Sequence, residues 1–324
     1  MLMAASFVGM SAGAQTATVS EEPRTVNQWL ARMHDASRQR AYTGTLVVST
    51  GTAMSASRIW HVCDGKQQME RIETLTGAPR TTVRHNNDVI TFAPDEKIAW
   101  VEKRESLGLF PELLRTPANQ IPKFYGVRVR GAERVAGFLA DRVDIEPNDG
   151  WRFGYRIWAE KRSGLVLKLQ TVDEKGQVLE QLAFTELNMN ASVRMEKLVK
   201  LMNDTRGYQV RRSLLVDAEP EKQGWHLKEA APGFLLVGCH TREVQTPQST
   251  ATPASMQCVY SDGLASVSIF IEPQRSEGAA SDESVVIGAT HSISRRMGPY
   301  EATVLGEAPK ATLVRFAQAL ERLP

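Results

Sequence analysis

Residues 58–84 constrain the fold of this chain more than any other segment. They read as three short strands, because Asp64-Gly65 and then Gly77-Ala78-Pro79 interrupt the segment with residues typical of tight turns. Alternate residues of a strand lie on opposite faces of a sheet. The first of these strands therefore has two unlike faces, with Arg58, Trp60 and Val62 on one and Ile59, His61 and Cys63 on the other. We predict a curved antiparallel sheet whose surface is partly apolar and partly basic.

An amphipathic helix is predicted over residues 25–40. Thr25 and Gln28 form a capping-box pattern, and apolar residues then recur at helical spacing. Further short strands are predicted at residues 42–50, 89–92, 97–102, 126–130, 135–147, 151–160, 165–172 and 178–187. Many short strands separated by turns are typical of a β-sandwich or barrel. We expect the helix to bury its apolar face against this sheet.

Residues 107–125 interrupt the series of predicted strands. They form an apolar segment that contains Pro111, Pro117 and Pro122. Proline cannot donate a hydrogen bond to a strand ladder, so this segment is not a single strand. Two interpretations stay open at this point. The segment is either a lid at the mouth of the sheet, or an inter-strand helix that begins at Pro111 and fills the core.

The chain is long enough for two domains at the usual domain size, since it has 324 residues. A large β domain is predicted at 24–190, followed by a basic, weakly patterned linker at 191–223. A smaller α+β domain is predicted at 224–324. Its strands are expected at 225–227, 234–240, 257–260, 265–272, 284–293 and 300–306, and its closing helix at 310–323.

Composition and the N-terminal residues bear on location. A formal net charge of +2 is too balanced for a protein that binds nucleic acid over its whole surface. No apolar run approaches the roughly 18 residues of a membrane span. Residues 1–14 are apolar and end in Ala-Gly-Ala, which predicts an export signal peptide whose basic start is missing. A disordered apolar leader and a start codon assigned too late are the alternatives.

Three cysteines are present, at positions 63, 239 and 258. An oxidising compartment would permit a Cys239–Cys258 disulfide, with Cys63 as a free thiol. The alternative is that all three are buried free thiols. Their spacing fits no zinc motif, and no cofactor is predicted.

The sequence contains few catalytic signals. It has no glycine-rich phosphate loop, no zinc-protease motif and no nucleophile-elbow motif. His61 and Cys63 share a strand face, but nothing in the sequence indicates an activated thiolate. Asp141 and Asp144 are close in sequence, although carboxylates in a strand-rich region usually face solvent. A binder of amphiphiles or peptides fits this pattern better than an enzyme.

We predict an apolar cavity between the first helix and the curved sheet. The candidate residues of its wall or mouth are Trp60, Trp100, Leu109, Phe110 and Tyr125. The arginines expected at its edge or on the outer face are Arg58, Arg71, Arg80 and Arg84. Apolar contacts would hold acyl chains and the guanidinium groups would hold phosphates. The simpler interpretation is that these aromatic residues only fill the core.

Several runs of the sequence also resemble the RseB/MucB family of periplasmic negative regulators of an envelope-stress sigma factor. The resemblance covers nearly all of the chain after its leader. Its most specific runs are Tyr260-Ser261-Asp262-Gly263-Leu264-Ala265-Ser266-Val267-Ser268-Ile269-Phe270 and Val304-Leu305-Gly306-Glu307-Ala308-Pro309, and others are Trp151-Arg152-Phe153-Gly154-Tyr155-Arg156-Ile157-Trp158 and Pro232-Gly233-Phe234. Ala159-Glu160 departs from the expected Leu-Asp.

The resemblance implies a mainly β fold with some α (α+β). The expected N-terminal domain is a half-open β-barrel over helices, similar to the lipoprotein carriers LolA and LppX, with a smaller C-terminal α+β domain beside it. The expected partner is the periplasmic domain of a membrane anti-sigma factor, shielded from proteolysis until lipopolysaccharide or lipoprotein signals release the regulator. A lipid or lipoprotein carrier and an envelope enzyme are the alternatives. The sequence is compatible with a homodimer and does not give the oligomeric state.

Overall fold

The computed structural model describes residues 24–103, 120–245, 255–274 and 284–324. Eleven strands form what we call the N-terminal sheet. Along the chain they are β1 (Tyr42–Thr50), β2 (Ala53–Cys63), β3 (Gln68–Thr74), β4 (Thr81–His85), β5 (Asp88–Ala93), β6 (Ile98–Lys103), β7 (Tyr125–Val135), β8 (Phe138–Pro147), β9 (Gly154–Glu160), β10 (Val166–Val172) and β11 (Val178–Asn188).

The N-terminal sheet is an antiparallel half-barrel. Its spatial order is β7-β8-β9-β10-β11-β1-β2-β3-β4-β5-β6, so the two meanders of the chain meet where β1 pairs with β11. Within the described residues no pairing joins β6 to β7, and the barrel stays open on that side. The predicted fold class, mainly β with few helices, is confirmed.

Helix α1 (Val26–Arg38) lies on the concave face of this sheet. The predicted capping box is present, since the Gln28 backbone N–H donates to Thr25 Oγ1 at 3.3 Å and the Thr25 backbone N–H donates to Gln28 Oε1 at 2.7 Å. The apolar side of α1 is buried together with the short helix α2 (Ile121–Phe124) and residues of β7–β10. The buried α1 residues are Val26, Trp29, Leu30, Met33 and Ala36. The helix was therefore predicted correctly from its apolar spacing and its cap.

The segment predicted as a linker contains regular structure. Helix α3 (Met195–Asn203) places Leu198 in a core cluster on the convex face of β3–β6. Strand β12 (Gln209–Asp217) then pairs in parallel with β6 through residues 209–212. Its residues 212–217 pair in antiparallel fashion with β14 (Leu235–Gln245). A strand shared by two sheets thus replaces the irregular segment that the sequence predicts, because β12 lacks clear apolar alternation.

The C-terminal sheet continues from β12. Its spatial order is β12-β14-β15-β16-β19-β18-β17, all antiparallel, with β15 (Ser255–Ser261), β16 (Ser266–Pro273), β17 (Ser284–Ile287), β18 (Thr290–Met297) and β19 (Tyr300–Gly306). Helix α4 (Lys310–Ala319) covers one face, and Leu313 and Phe316 are fully buried there. A second ribbon pairs β13 (Trp225–Leu227) with β20 (Leu320–Arg322), and a 3-10 turn (Glu221–Gln223) precedes β13.

Several predicted elements are wrong in their bounds, among them the strand predicted over 135–147, which begins only at Phe138 because the chain turns at Ala136 and Gly137. The strand predicted over 284–293 is two strands, because Gly288 takes a φ of +60° and turns the chain. The helix predicted over 310–323 ends at Ala319, where the chain leaves to pair with Trp225–Leu227. The strand predicted over 151–160 begins only at Gly154, since Trp151 and Arg152 lie in a loop that faces the C-terminal sheet.

Some predictions fall outside the described residues. These are the signal peptide at 1–14, the candidate residues Leu109 and Phe110, and the apolar insert up to residue 119. Among the helices that the structure does describe, none has the length and apolar character of a membrane span.

Cys239 and Cys258 lie directly opposite each other on β14 and β15 and form a disulfide. Both are buried in the core beneath α4. Cys63 is a free, half-buried thiol on β2. The bond ties two neighbouring strands of the C-terminal sheet across 19 residues of sequence.

We expect the double replacement of Cys239 and Cys258 by alanine to lower the free energy of unfolding by about 2–4 kcal/mol, because the unfolded chain loses a cross-link. Urea unfolding with and without reductant measures this. The matched control, Cys63→Ala, removes the thiol that forms no disulfide and should leave the effect of reductant unchanged. If the urea midpoint of wild-type unfolding is the same with and without reductant, the expectation is contradicted.

Candidate functional site

A small cavity lies between α1 and the concave face of the N-terminal sheet, in the place where the sequence predicts one. Its volume is about 70 Å³. That is room for several water molecules or a group the size of a phosphate, but it is far below the roughly 300–1,000 Å³ of a site for a drug-sized ligand. The wall combines apolar and polar side chains, namely Met33, Ser37, Tyr42, His61, Gln68, Glu70, Arg84, Leu165, Val166 and Phe184.

The polar groups of this cavity come from neighbouring positions on β1–β4. Strand register places Tyr42 opposite His61, His61 opposite Glu70, and Glu70 opposite Arg84. The rings of Tyr42 and His61 stack with their centroids 4.9 Å apart. His61 Nδ1 lies 2.8 Å from the Arg40 carbonyl oxygen, so this nitrogen carries the proton and donates it. The result is a row of hydrogen-bonding side chains within an otherwise apolar interior.

Burial changes the charge state of these groups. It raises the pKa of Glu70 to about 7, and the positive charge of Arg84 only partly opposes this effect. Burial lowers the pKa of His61 and raises that of Tyr42. At neutral pH the cavity therefore contains a neutral imidazole, a neutral phenol and a carboxyl group close to its titration point.

Of the predicted site residues that the structure describes, one lies at this cavity. Arg84 lines it. Trp60 lies on the opposite, convex face of β2, and the Arg71 guanidinium is 4.5 Å from its ring centroid. Period-2 alternation correctly grouped Trp60 with Arg58, but it does not say which face of the sheet meets the helix.

The other predicted residues are distributed over the molecule. Arg58 is exposed on β2, and Arg80 forms an exposed ion pair with Glu96 at 3.4 Å. The Arg211 guanidinium of β12 lies 5.1 Å from the ring centroid of Trp100. Tyr125 is buried in the contact between the two sheets. The predicted set therefore does not form one site.

The possible nucleophilic pair of the sequence, His61 and Cys63, lacks the chemistry of an activated thiol. Burial and the neighbouring charge of Asp64 raise the pKa of Cys63, whereas a reactive cysteine has a lowered pKa. The other candidate, Asp144, is paired with Arg130 and Arg142 at 3.2 Å and 3.0 Å. Among the described residues, no group of three or more His, Cys, Asp or Glu side chains is placed to hold a metal ion.

The contact between the two sheets is built on a buried ion pair that sequence reasoning missed. Arg152, in the loop before β9, donates from Nε to Asp262 Oδ2 at 2.6 Å, and both side chains are 0% exposed. Tyr125 donates its hydroxyl hydrogen to the same Oδ2 at 2.8 Å. Asp262 Oδ1 accepts the backbone N–H groups of Leu264 and Ala265 at 2.9 Å and 2.8 Å. The carboxylate is thus fully hydrogen-bonded.

The guanidinium group of Arg152 is equally well enclosed. It also donates to Asp149, and to the Pro232 carbonyl oxygen at 2.5 Å. It lies 4.4 Å from the ring centroid of Phe124 and 5.3 Å from that of Phe234. Aromatic rings from α2 and from the residue before β14 therefore flank one cation. The available sequence signals were an arginine within an aromatic run and an Asp-Gly turn, each of which has a local interpretation.

Comparison with known families matches two models to this chain. One is described as the MucB/RseB N-terminal domain and matches residues 25–202. The other is described as the MucB/RseB C-terminal domain and matches residues 219–321. The two matches together leave few residues between 25 and 321 unassigned.

Individual proteins agree with these matches. The sigma factor AlgU regulatory protein MucB of Pseudomonas aeruginosa is 30% identical over 317 residues, which are 95% of this chain and 94% of that protein. The sigma-E factor regulatory protein RseB of Haemophilus influenzae is 24% identical over 305 residues, 93% of each chain. A solved MucA/MucB complex from Pseudomonas aeruginosa is 27% identical with a TM-score of 0.69, covering 92% of this chain and 99% of that one. A crystal structure of MucB in complex with MucA(peri) has a TM-score of 0.67 at 27% identity, with coverage of 91% and 98%.

We expect Glu70→Gln to remove part of the pH dependence of stability. Because folding raises the Glu70 pKa from 4.5 to about 7, its contribution favours the folded state at low pH and is lost as pH rises between these values. The lowered pKa of His61 has the opposite effect on stability, because its contribution is lost as pH falls. The quantity to compare is therefore the difference in unfolding free energy between wild type and variant at each pH.

The difference in unfolding free energy should change by on the order of 1–3 kcal/mol between pH 4.5 and pH 8, measured by urea unfolding. Asp95→Asn, at an exposed turn of the same sheet, is the matched control. If the unfolding free energies of wild type and Glu70→Gln change with pH in parallel, folding does not raise the pKa of Glu70.

Asp262→Ala should destabilise the protein by about 3–5 kcal/mol, because it leaves the Arg152 charge buried without its partner. Asp149→Ala removes the other carboxylate partner of Arg152, but that side chain is 27% exposed, so its loss should cost less. Chemical unfolding and limited proteolysis of the two variants give the comparison. Equal losses of stability in the two variants would mean that the Arg152–Asp262 pair stabilises the contact between the sheets no more than Asp149 does.

Proposed function

Because the chain belongs to the MucB/RseB family, we propose that it is a periplasmic negative regulator that binds the periplasmic domain of a membrane-anchored anti-sigma factor. Bound in this way, it shields that domain from regulated proteolysis, and envelope-stress signals release it. The single observation that carries the proposal is similarity over 95% of the chain to a sigma factor regulatory protein. The likeness to a MucB solved with MucA(peri) supports the kind of partner.

A periplasmic location is part of this proposal. The Cys239–Cys258 disulfide supports it, since such bonds persist in oxidising compartments such as the bacterial periplasm. The apolar leader at residues 1–14 is consistent with export.

We also propose that the protein acts by binding and not by catalysis. The thiol of Cys63 has a raised pKa, and its neighbour His61 already donates a hydrogen bond to the Arg40 carbonyl oxygen. The carboxylate of Asp144 is neutralised by two arginines. These groups therefore suit structural roles.

Release by an amphiphile such as lipopolysaccharide is the proposed signal. The cavity next to Arg84 is one place in the N-terminal sheet where an anionic group would meet both a guanidinium and apolar side chains. Its volume of about 70 Å³ admits only a group the size of a phosphate, so the rest of the amphiphile requires α1 to move from the sheet. A lipid or lipoprotein carrier is the second candidate, and the half-open barrel with a cavity under α1 favours it. A carrier would copurify with lipid and pass it on.

The test is a binding titration of the full chain with the labelled periplasmic domain of the anti-sigma factor, followed by competition with lipopolysaccharide at low and high salt. We expect saturable binding and displacement by the amphiphile, weaker at high salt because phosphate contacts are screened. Arg84→Gln should raise the amphiphile concentration needed by about tenfold, since a charge-assisted hydrogen bond is lost.

Arg58→Gln is the matched control, because Arg58 is exposed on the convex face. A wild-type chain that never binds the anti-sigma domain would refute the regulatory function. Binding without displacement at any salt concentration would leave a regulator that does not sense this amphiphile.

A further inference from the structure

Strand β17 leaves one edge of the C-terminal sheet open. It pairs with β18 on one side through Ser284–Ile287, and no described strand pairs with its other side. Three consecutive aliphatic side chains on this strand are strongly exposed, Val285 at 50%, Val286 at 56% and Ile287 at 63%. The edge therefore offers unpaired backbone N–H and C=O groups within an apolar surface.

The opposite end of the connected sheets shows how this protein protects an edge. Strand β7 is the other terminal strand, and it carries the exposed arginines Arg128, Arg130 and Arg134. Its register shifts between Val129 and Gly131, and Gly131 takes a φ of +106°. Charges and a bulge are the usual devices that prevent a strand from pairing with another chain. β17 has neither device.

We propose that the free edge of β17 is the docking strand for an extended, apolar segment of the anti-sigma factor's periplasmic domain. This inference rests on the proposed function and adds the surface and the mode of binding. The bound segment adds a strand next to β17, so that backbone hydrogen bonds hold it and alternate side chains select it.

The register of the sheet indicates which side chains the segment needs. Val285 lies opposite Ser292, and Ser292 lies opposite Leu305, so these three residues share the sheet face that α4 does not cover. Ile287 is two residues from Val285 and lies on the same face. A segment with apolar residues at alternate positions would extend this row and cover Val285 and Ile287.

The edge is held in a fixed position against the N-terminal sheet. A side chain at Gly288 would collide with Thr50 and would lie 3.1 Å from the Leu179 carbonyl oxygen, so the hairpin turn is in close contact with β1 and β11. The Glu180 carboxylate accepts a hydrogen bond from the Ala289 backbone. A docking strand held in this way loses little conformational freedom when a partner binds.

A second copy of this chain fits the edge less well than a peptide. Stable interfaces between folded proteins bury roughly 1,200–2,000 Å² in total. Two folded copies that meet only at a strand of four residues cannot approach that area. An extended segment can pair with β17 and continue along the adjoining surface.

The experiment compares the full-length wild type with the double variant Val285→Lys, Ile287→Lys in the titration with the periplasmic domain of the anti-sigma factor. Lysines on an edge strand oppose strand addition, so the dissociation constant should rise by about tenfold or more. Leu235→Lys is the matched control, because Leu235 is a similarly exposed aliphatic residue at 48% on β14, a strand of the same sheet that lies away from β17. It should bind as wild type does. Hydrogen exchange should show slower exchange of the β17 amides in the complex.

The outcomes separate this inference from the proposed function. Failure of the wild type to bind the domain refutes the proposed function. Wild-type binding that is unaffected by the double variant, with no new protection of the β17 amides, overturns the docking strand alone. Protection of β17 that depends on the concentration of this chain, without the partner, also overturns it, because a second copy would then occupy the edge. Near-ultraviolet circular dichroism checks that the variants are folded.

Discussion

Two opposite charges that water does not reach, on Arg152 and Asp262, lie where the two sheets meet. A buried charge is tolerated only when its partners are close and its hydrogen bonds are complete. Tyr125 and two backbone N–H groups satisfy the remaining capacity of Asp262, and Arg152 also donates to Asp149 and to the Pro232 carbonyl oxygen. These requirements allow little displacement of one sheet against the other. The loop at 149–153 and the turn after β15 are therefore fixed by one electrostatic constraint.

Strand β12 joins the same two sheets by another kind of interaction. The contact at Arg152 depends on a few side chains, whereas β12 is held by backbone hydrogen bonds to β6 and then to β14. The half-barrel and the smaller sheet are consequently connected at two places with different chemistry. A change of charge would affect the first connection and leave the second in place.

Local patterns in the sequence were sufficient for the elements that local forces determine. The cap and apolar spacing of α1 predicted that helix, and the strand predicted at residues 42–50 has the observed bounds of β1. Alternation also grouped Trp60 with Arg58, but it could not say that this face is convex, because the choice depends on where α1 packs. Gly288 shows a further limit, since one residue at positive φ divides a continuous apolar run into a hairpin. Arg152 and Asp262 are 110 residues apart in sequence, and neither position has a local feature that requires the other.

The double pairing of β12 also restricts how the length of this segment can change during evolution. Arg212 lies opposite Val101 of β6 and opposite Gln245 of β14, so one residue belongs to both ladders. An insertion or deletion within 209–217 would shift the register of β12 against β6 or against β14 and exchange the faces of the side chains beyond it. Residues 204–208, between α3 and β12, carry no such double requirement. Relatives should therefore vary in length before β12 and keep a constant length within it.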